Sequence, residues 1–134
     1  MIMYNLVGDC MKPLCEYVLE IKKSKFIALL YEVSSDNEVK EILSDLKAEH
    51  KKARHIPYAY RLVNTAKKSD DKEPSNTAGL PILNILERES LTNVLVVVIR
   101  YFGGTKLGAG PLLRAYAGST NEVVKKYIEE KTCL

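Results

Sequence analysis

Leu91–Phe102 reads LTNVLVVVIRYF, and the stretch that follows it, Gly103–Arg114, reads GGTKLGAGPLLR. Four valines and one isoleucine make the first stretch a continuous β-branched run, the pattern of a strand covered on both faces, and we take it as the central strand. Gly103, Gly104, Gly108 and Gly110 then form a loop of permissive backbone, and Pro111 suits the first position of a closing helix. That helix is expected to run to about Lys131, with Leu112, Leu113, Tyr116, Ala117, Thr120, Val123, Val124, Tyr127 and Ile128 on its buried side.

Upstream of the central strand, Leu83 and Leu86 mark a helix over about 78–88, in which Pro81 is tolerable only within the first turn. Asn64–Asn76 is polar and reads as a long loop. Ile56–Val63 alternates, with Tyr58, Tyr60 and Leu62 on one face and Ala59, Arg61 and Val63 on the other, as a strand does. Ser35-Asp-Asn-Glu38 has the spacing of a helix N-terminus capped by its serine, and Val39, Ile42, Leu43 and Leu46 supply the apolar stripe that follows. Two strand-like runs, Tyr17–Ile21 and Phe26–Val33, flank a polar and basic turn at Lys22, Lys23 and Ser24. The order is ββαβαβα, and the fold expected is α+β: a mixed β-sheet with its helices packed on one side.

At 134 residues and 15.1 kDa the chain suits one domain over 1–134 with a core of its own. The longest apolar run, Val94–Ile99, is far short of the roughly 20 residues of a spanning helix. The first residues include Asp9 and lack a basic start before an apolar stretch, which reads against a secretory leader and makes the cytoplasm the expected address. Cys10, Cys15 and Cys133 form no C-x-x-C pair and read as free thiols. The net charge of +3 is small, but it is unevenly spread: Lys47–Lys68 holds seven lysines and arginines against one acid, so the rest of the chain sums to −3.

The glycine loop is the sharpest chemical feature. Glycines let backbone N–H groups approach an anion, a helix N-terminus adds partial positive charge, and Arg100, Lys106 and Arg114 add formal charge. The P-loop and dinucleotide fingerprints both fail, because Ala109 and Leu113 stand where Lys and Gly are required. Two readings remain at this point, structural tight turns and an anion-contact loop. A second candidate is Ser69–Thr77, SDDKEPSNT, whose Asp70, Asp71 and Glu73, with Ser75 and Thr77, suit turn and helix-start structure, a partner contact or a hard metal. His50 and His55 lack the spacing of a helical zinc pair. Tyr58, Tyr60 and Tyr101, near Arg61 and Arg100, suit either half-buried sheet positions or base stacking.

At EIKKSKFIA (20–28), His55–Arg61, SDDKEPSNTAGLPILN (69–84) and Leu91–Gly118 the chain resembles the Impact family, the conserved domain of eukaryotic Impact and of bacterial YigZ-like proteins. The resemblance covers roughly residues 16–130. It implies a fold similar to the second domain of a small-subunit ribosomal protein, in a superfamily with translation-factor and kinase members. It also implies cytosolic, non-enzymatic proteins tied to translation, the eukaryotic ones restraining a starvation-responsive kinase through its activator and the bacterial ones binding nucleic acid. The family brings no catalytic residues with it. Lys72 and Asn76 stand where the family pattern has glycines, and the second domain usual in the family has no counterpart in this sequence, so a solitary core domain or a truncated chain is expected.

The expectation is a non-enzymatic binding module for translation or its regulation that contacts RNA, the ribosome or an acidic, translation-regulatory protein. Lys51, Lys52, Arg54, Arg61, Arg100, Gly103, Gly104, Lys106, Gly108, Gly110 and Arg114 are its anion or nucleic-acid contacts. His55, Asp70, Asp71, Glu73, Ser75 and Thr77 form a partner or loop site. No metal, cofactor or membrane contact is assigned. The alternative is an enzyme or binder acting on a phosphorylated small molecule at the glycine loop.

Overall fold

The computed structural model describes residues 12–132. In chain order the elements are β1 (Cys15–Ile21), β2 (Ser24–Glu32), α1 (Asp36–Glu49), β3 (Tyr58–Arg61), β4 (Ala66–Ser69), α2 (Gly79–Arg88), β5 (Val94–Tyr101) and α3 (Ala109–Thr132). The sheet order is β1-β2-β5-β3-β4, which puts the valine-rich strand at the centre. Side chains alternate along a strand, so β5 feeds two cores. Val94, Val96 and Val98 join Phe26, Ala28, Leu30 and the apolar faces of α2 and α3. Leu95, Val97 and Ile99 join Leu29, Tyr31, Ile56, Tyr60 and the α1 residues Val39, Ile42 and Leu46.

The α+β class holds, and the details differ from the sequence reading in three ways. Each pair of neighbouring strands is antiparallel. β5 sits between β2 and β3, so the two strands that α1 connects never become parallel neighbours and the sheet is not mixed. The helices cover both faces, α2 and α3 on one and α1 on the other, rather than one side. The order is ββαββαβα, because Ala66–Ser69, inside the expected loop, pairs with β3 from Tyr58↔Ser69 to Arg61↔Ala66. This short, exposed AKKS edge has no apolar alternation to read, and its lysines protect the edge from further pairing.

Local signals operate as expected elsewhere. Ser35 caps α1 by accepting the Glu38 N–H, while the Glu38 carboxylate takes the N–H and hydroxyl of Ser34. Pro81 is the third residue of α2, within the first turn, where its missing N–H costs nothing. α3 starts at Ala109, two residues before Pro111, and Leu113 is 43% exposed rather than buried. Cys15 is a buried free thiol held high by burial and by Glu130; Cys10, Cys133 and most of the start of the chain read for a leader lie outside the described residues. Among the described residues no helix is long and apolar enough to cross a membrane.

Candidate anion and nucleic-acid interface

The antiparallel sheet brings the end of β5, the start of β2 and the approach to β3 to one end of the molecule. Lys22 and Lys23 form the two-residue turn between β1 and β2, both with positive φ (48° and 69°). Gly103 sits against that turn. A Cβ on it would lie 2.1 Å from the Lys23 carbonyl carbon, and its N–H donates to Ser24 Oγ at 3.1 Å. Gly103 is therefore a close-approach residue whose amide is already engaged.

Beyond it the loop turns outward. Gly104 has φ +98° with open space around it, and Gly104, Thr105, Lys106, Gly108 and Gly110 are exposed. Among the described residues, the N–H groups of Gly104–Leu107 have no acceptor, and those of Ala109 and Gly110 are the free first-turn donors of α3. Such donors carry the positive end of the helix dipole.

Several cations lie at this end, Arg114 beside Gly110 among them. Lys51 and Lys52 follow α1, and Lys22, Lys23, Lys51, Lys52, Arg54, Lys106 and Arg114 are all exposed. The Arg54 N–H donates to the Arg100 carbonyl at 2.8 Å and the Arg100 N–H to the His55 carbonyl at 2.9 Å, zipping this segment onto the end of β5. The zipper lays the Arg54 guanidinium over the Phe102 ring, 4.3 Å from its centroid. Beside it, His50 Nδ1 meets the Tyr101 hydroxyl at 2.5 Å.

Arg61 and Arg100 do not join this surface. Arg61 pairs with Val94 at the far end of β5 and donates to the Leu91 carbonyl at 2.9 Å, so its place is structural. Arg100 is 5% exposed and donates through one nitrogen to both oxygens of Glu73, at 2.8 and 3.0 Å. The Tyr116 hydroxyl donates to the same carboxylate, and His55 Nε2 lies 3.6 Å away. Burial, reinforced by that hydrogen bond, drives the Tyr116 pKa far above its ordinary value. Among the described residues the Arg100 Nε has no hydrogen-bond partner; the guanidinium lies 5.8 Å from the Phe26 ring centroid.

The other acids also turn inward. One Asp70 oxygen accepts from Ala78 and Gly79 at 3.2 and 2.8 Å and the other from Asn76 at 2.9 Å, capping α2 where Ala78 cannot. Burial raises its pKa, but those three N–H bonds and nearby Lys68 outweigh it and hold the carboxyl below its ordinary value. Asp71 accepts the Ile56 N–H at 2.6 Å. Thr77 bonds the Pro74 carbonyl through its hydroxyl at 2.6 Å, and Ser75 is exposed. Lys72 and Asn76 have φ of 71° and 63°, so this loop keeps left-handed backbone at the two positions where glycine was expected.

At this end Asp70, Asp71 and Glu73 are taken up by hydrogen bonds within the fold, whereas Lys22, Lys23, Lys51, Lys52, Arg54, Lys106 and Arg114 are exposed and outnumber the exposed acids Glu20 and Glu49. Lys51, Lys52, Arg54, Lys106 and Arg114, named from the sequence, are all exposed; Lys22 and Lys23, whose turn packs on Gly103, and Phe102, which lies under Arg54, were not named among them. The basic character of the turn was legible; its proximity to Gly103 was not.

The family model described as the Impact N-terminal domain matches residues 22–124. The Bacillus subtilis protein "IMPACT family member YvyE" is 44% identical over 110 residues, covering 80% of this chain and 51% of that one. A crystal structure of a hypothetical protein superposes with TM-score 0.79 at 35% identity, covering 85% of this chain and 59% of its own. The structure of Yih1, titled a two-domain translational regulator, superposes with TM-score 0.53 at 25% identity, covering 86% of this chain and 46% of its own. The chain spans a little over half the length of the first curated relatives it matches.

Proposed function

The chain belongs to the Impact family, and from that premise we propose that it is a non-enzymatic binding module in translation or its regulation, working in the cytoplasm, whose basic end contacts the phosphate backbone of RNA. One observation carries the reading: at a single end of the sheet, amides without a partner among the described residues lie with exposed cations, while Asp70, Asp71 and Glu73 are each engaged by hydrogen bonds from the fold itself. Phosphate oxygens match both kinds of donor, N–H dipoles and formal charges. The description of Yih1 as a translational regulator supports the biological setting.

Lysine and arginine contacts to phosphate release counterions, so affinity falls steeply with salt. Fluorescence anisotropy with labelled RNA across a salt series tests this. Binding that weakens with salt, with a slope that drops when Lys51, Lys52 and Lys106 are changed to Gln, is the expected result; absent or salt-insensitive binding rejects it.

A second reading, a phosphorylated small molecule on the glycine loop, rests on the free amides alone. Nucleotide at millimolar concentration raises the melting temperature under that reading and leaves it unchanged under the first.

A further inference from the structure

We infer that the Arg54–Phe102 stack is a platform for one unpaired nucleobase, so that the basic end selects single-stranded over duplex RNA. The inference rests on the RNA reading above and adds to it what kind of RNA is bound and where a base is held.

A guanidinium plane lying on an aromatic ring has its inner face satisfied by the ring and its outer face available to another flat π system. Arg54 is placed this way, 4.3 Å over Phe102, and its side chain is exposed. The placement is built in, because the Arg54 and Arg100 backbone bonds lock the root of Arg54 to β5 just before Phe102. Ordering Arg54 in advance reduces the entropy lost when a base docks. Two residues after Phe102 begin the amides of Gly104–Leu107, unpartnered among the described residues, with exposed Lys106 among them, and these offer donors to the phosphates of a strand whose base is stacked.

Bases in a duplex already have their faces stacked on neighbours, whereas an unpaired base offers a free face to an aromatic or guanidinium plane. Neighbouring Tyr101 does not extend the platform. Its side chain alternates to the α1 side of the sheet, and its hydroxyl is tied to His50.

The test titrates the unaltered protein with three labelled ligands of equal phosphate count: a single-stranded RNA, the same strand with abasic sugars, and a duplex. Stacking of a single base predicts that the abasic strand binds about 10-fold more weakly than the intact one, with an unchanged salt slope. Phe102→Leu and Arg54→Lys, which keeps the charge but not the flat guanidinium, reproduce that loss on the intact strand, and Phe102→Tyr retains binding. Phe102 is only half-buried, and melting curves verify that the variants are folded. Equal affinity for all three ligands overturns the platform and leaves the phosphate-contact reading standing. No binding to any of them, or binding that ignores salt, overturns both.

Discussion

Glu73 carries a carboxylate to a site where its side chain is 2% exposed, and Arg100 and Tyr116 satisfy it there. Breaking a buried pair by removing one partner leaves the other charge uncompensated, so Glu73→Ala is expected to cost about 3–5 kcal/mol in denaturant unfolding. The double variant Glu73→Leu, Arg100→Met removes both charges and recovers much of that loss; a double variant as unstable as the single one contradicts the assignment. Asp70 supplies a second residue-level expectation. Its folded pKa lies below its unfolded one, so its contribution is complete above the ordinary carboxylate range and disappears as pH falls through the lower, folded value. The stability gap between the unaltered protein and Asp70→Asn should be constant at neutral pH, begin to narrow near about pH 4, the unperturbed carboxyl pKa, and close as pH falls through the lower folded value. Urea midpoints across pH measure it. SDDKEPSNT showed acids suited to turns and helix starts. Which N–H groups they would meet was not legible, because Ile56 and Arg100 are distant in the chain and close only after folding.

At the level of elements, the loop between β4 and α2 keeps a glycine-like backbone without glycines. Lys72 in left-handed conformation costs roughly 1–2 kcal/mol. Relief of that cost exceeds the added entropy loss of glycine, so Lys72→Gly is expected to stabilise the fold by roughly 0.5–1 kcal/mol. Asn tolerates this conformation through local hydrogen bonding, so Asn76→Gly gains less. Thermal unfolding of the two variants gives the order, and destabilisation by Lys72→Gly would show that its φ is not a strain. The hairpin, α1, α2, β5 and α3 were readable because each repeats an apolar pattern at its own period. β4 was not, since backbone pairing holds it in the sheet while its side chains stay largely exposed. The helix arrangement was half legible: the β5 run called for cover on both faces, yet nothing in local periodicity assigned α1 to one face and α2 with α3 to the other.

For the molecule as a whole, the modest net charge of +3 is unevenly spread, with seven lysines and arginines against one acid in Lys47–Lys68. Reversing Lys51 and Lys106 to Glu should weaken RNA binding by at least about 10-fold and flatten its salt dependence, because phosphate contacts dominate that slope. Lys125→Glu and Lys131→Glu, toward the other end of α3, make the same change in total charge and should leave binding nearly intact. Equal losses in the two double variants, measured by anisotropy, would mean that net charge rather than placement is what RNA senses.

Short-range periodicity and capping determined this protein's helices, its central strand and its opening hairpin, since those signals arise between residues within a few positions of one another. Family membership was legible too, in ordered blocks of sequence. Only the tertiary structure decided that Arg100 would turn inward to Glu73, that the Lys22–Lys23 turn would seat Gly103, and that Arg54 would lie on Phe102. These contacts join segments brought together by the antiparallel order of the sheet, and no local pattern encodes which cation meets a buried acid and which is left to the solvent.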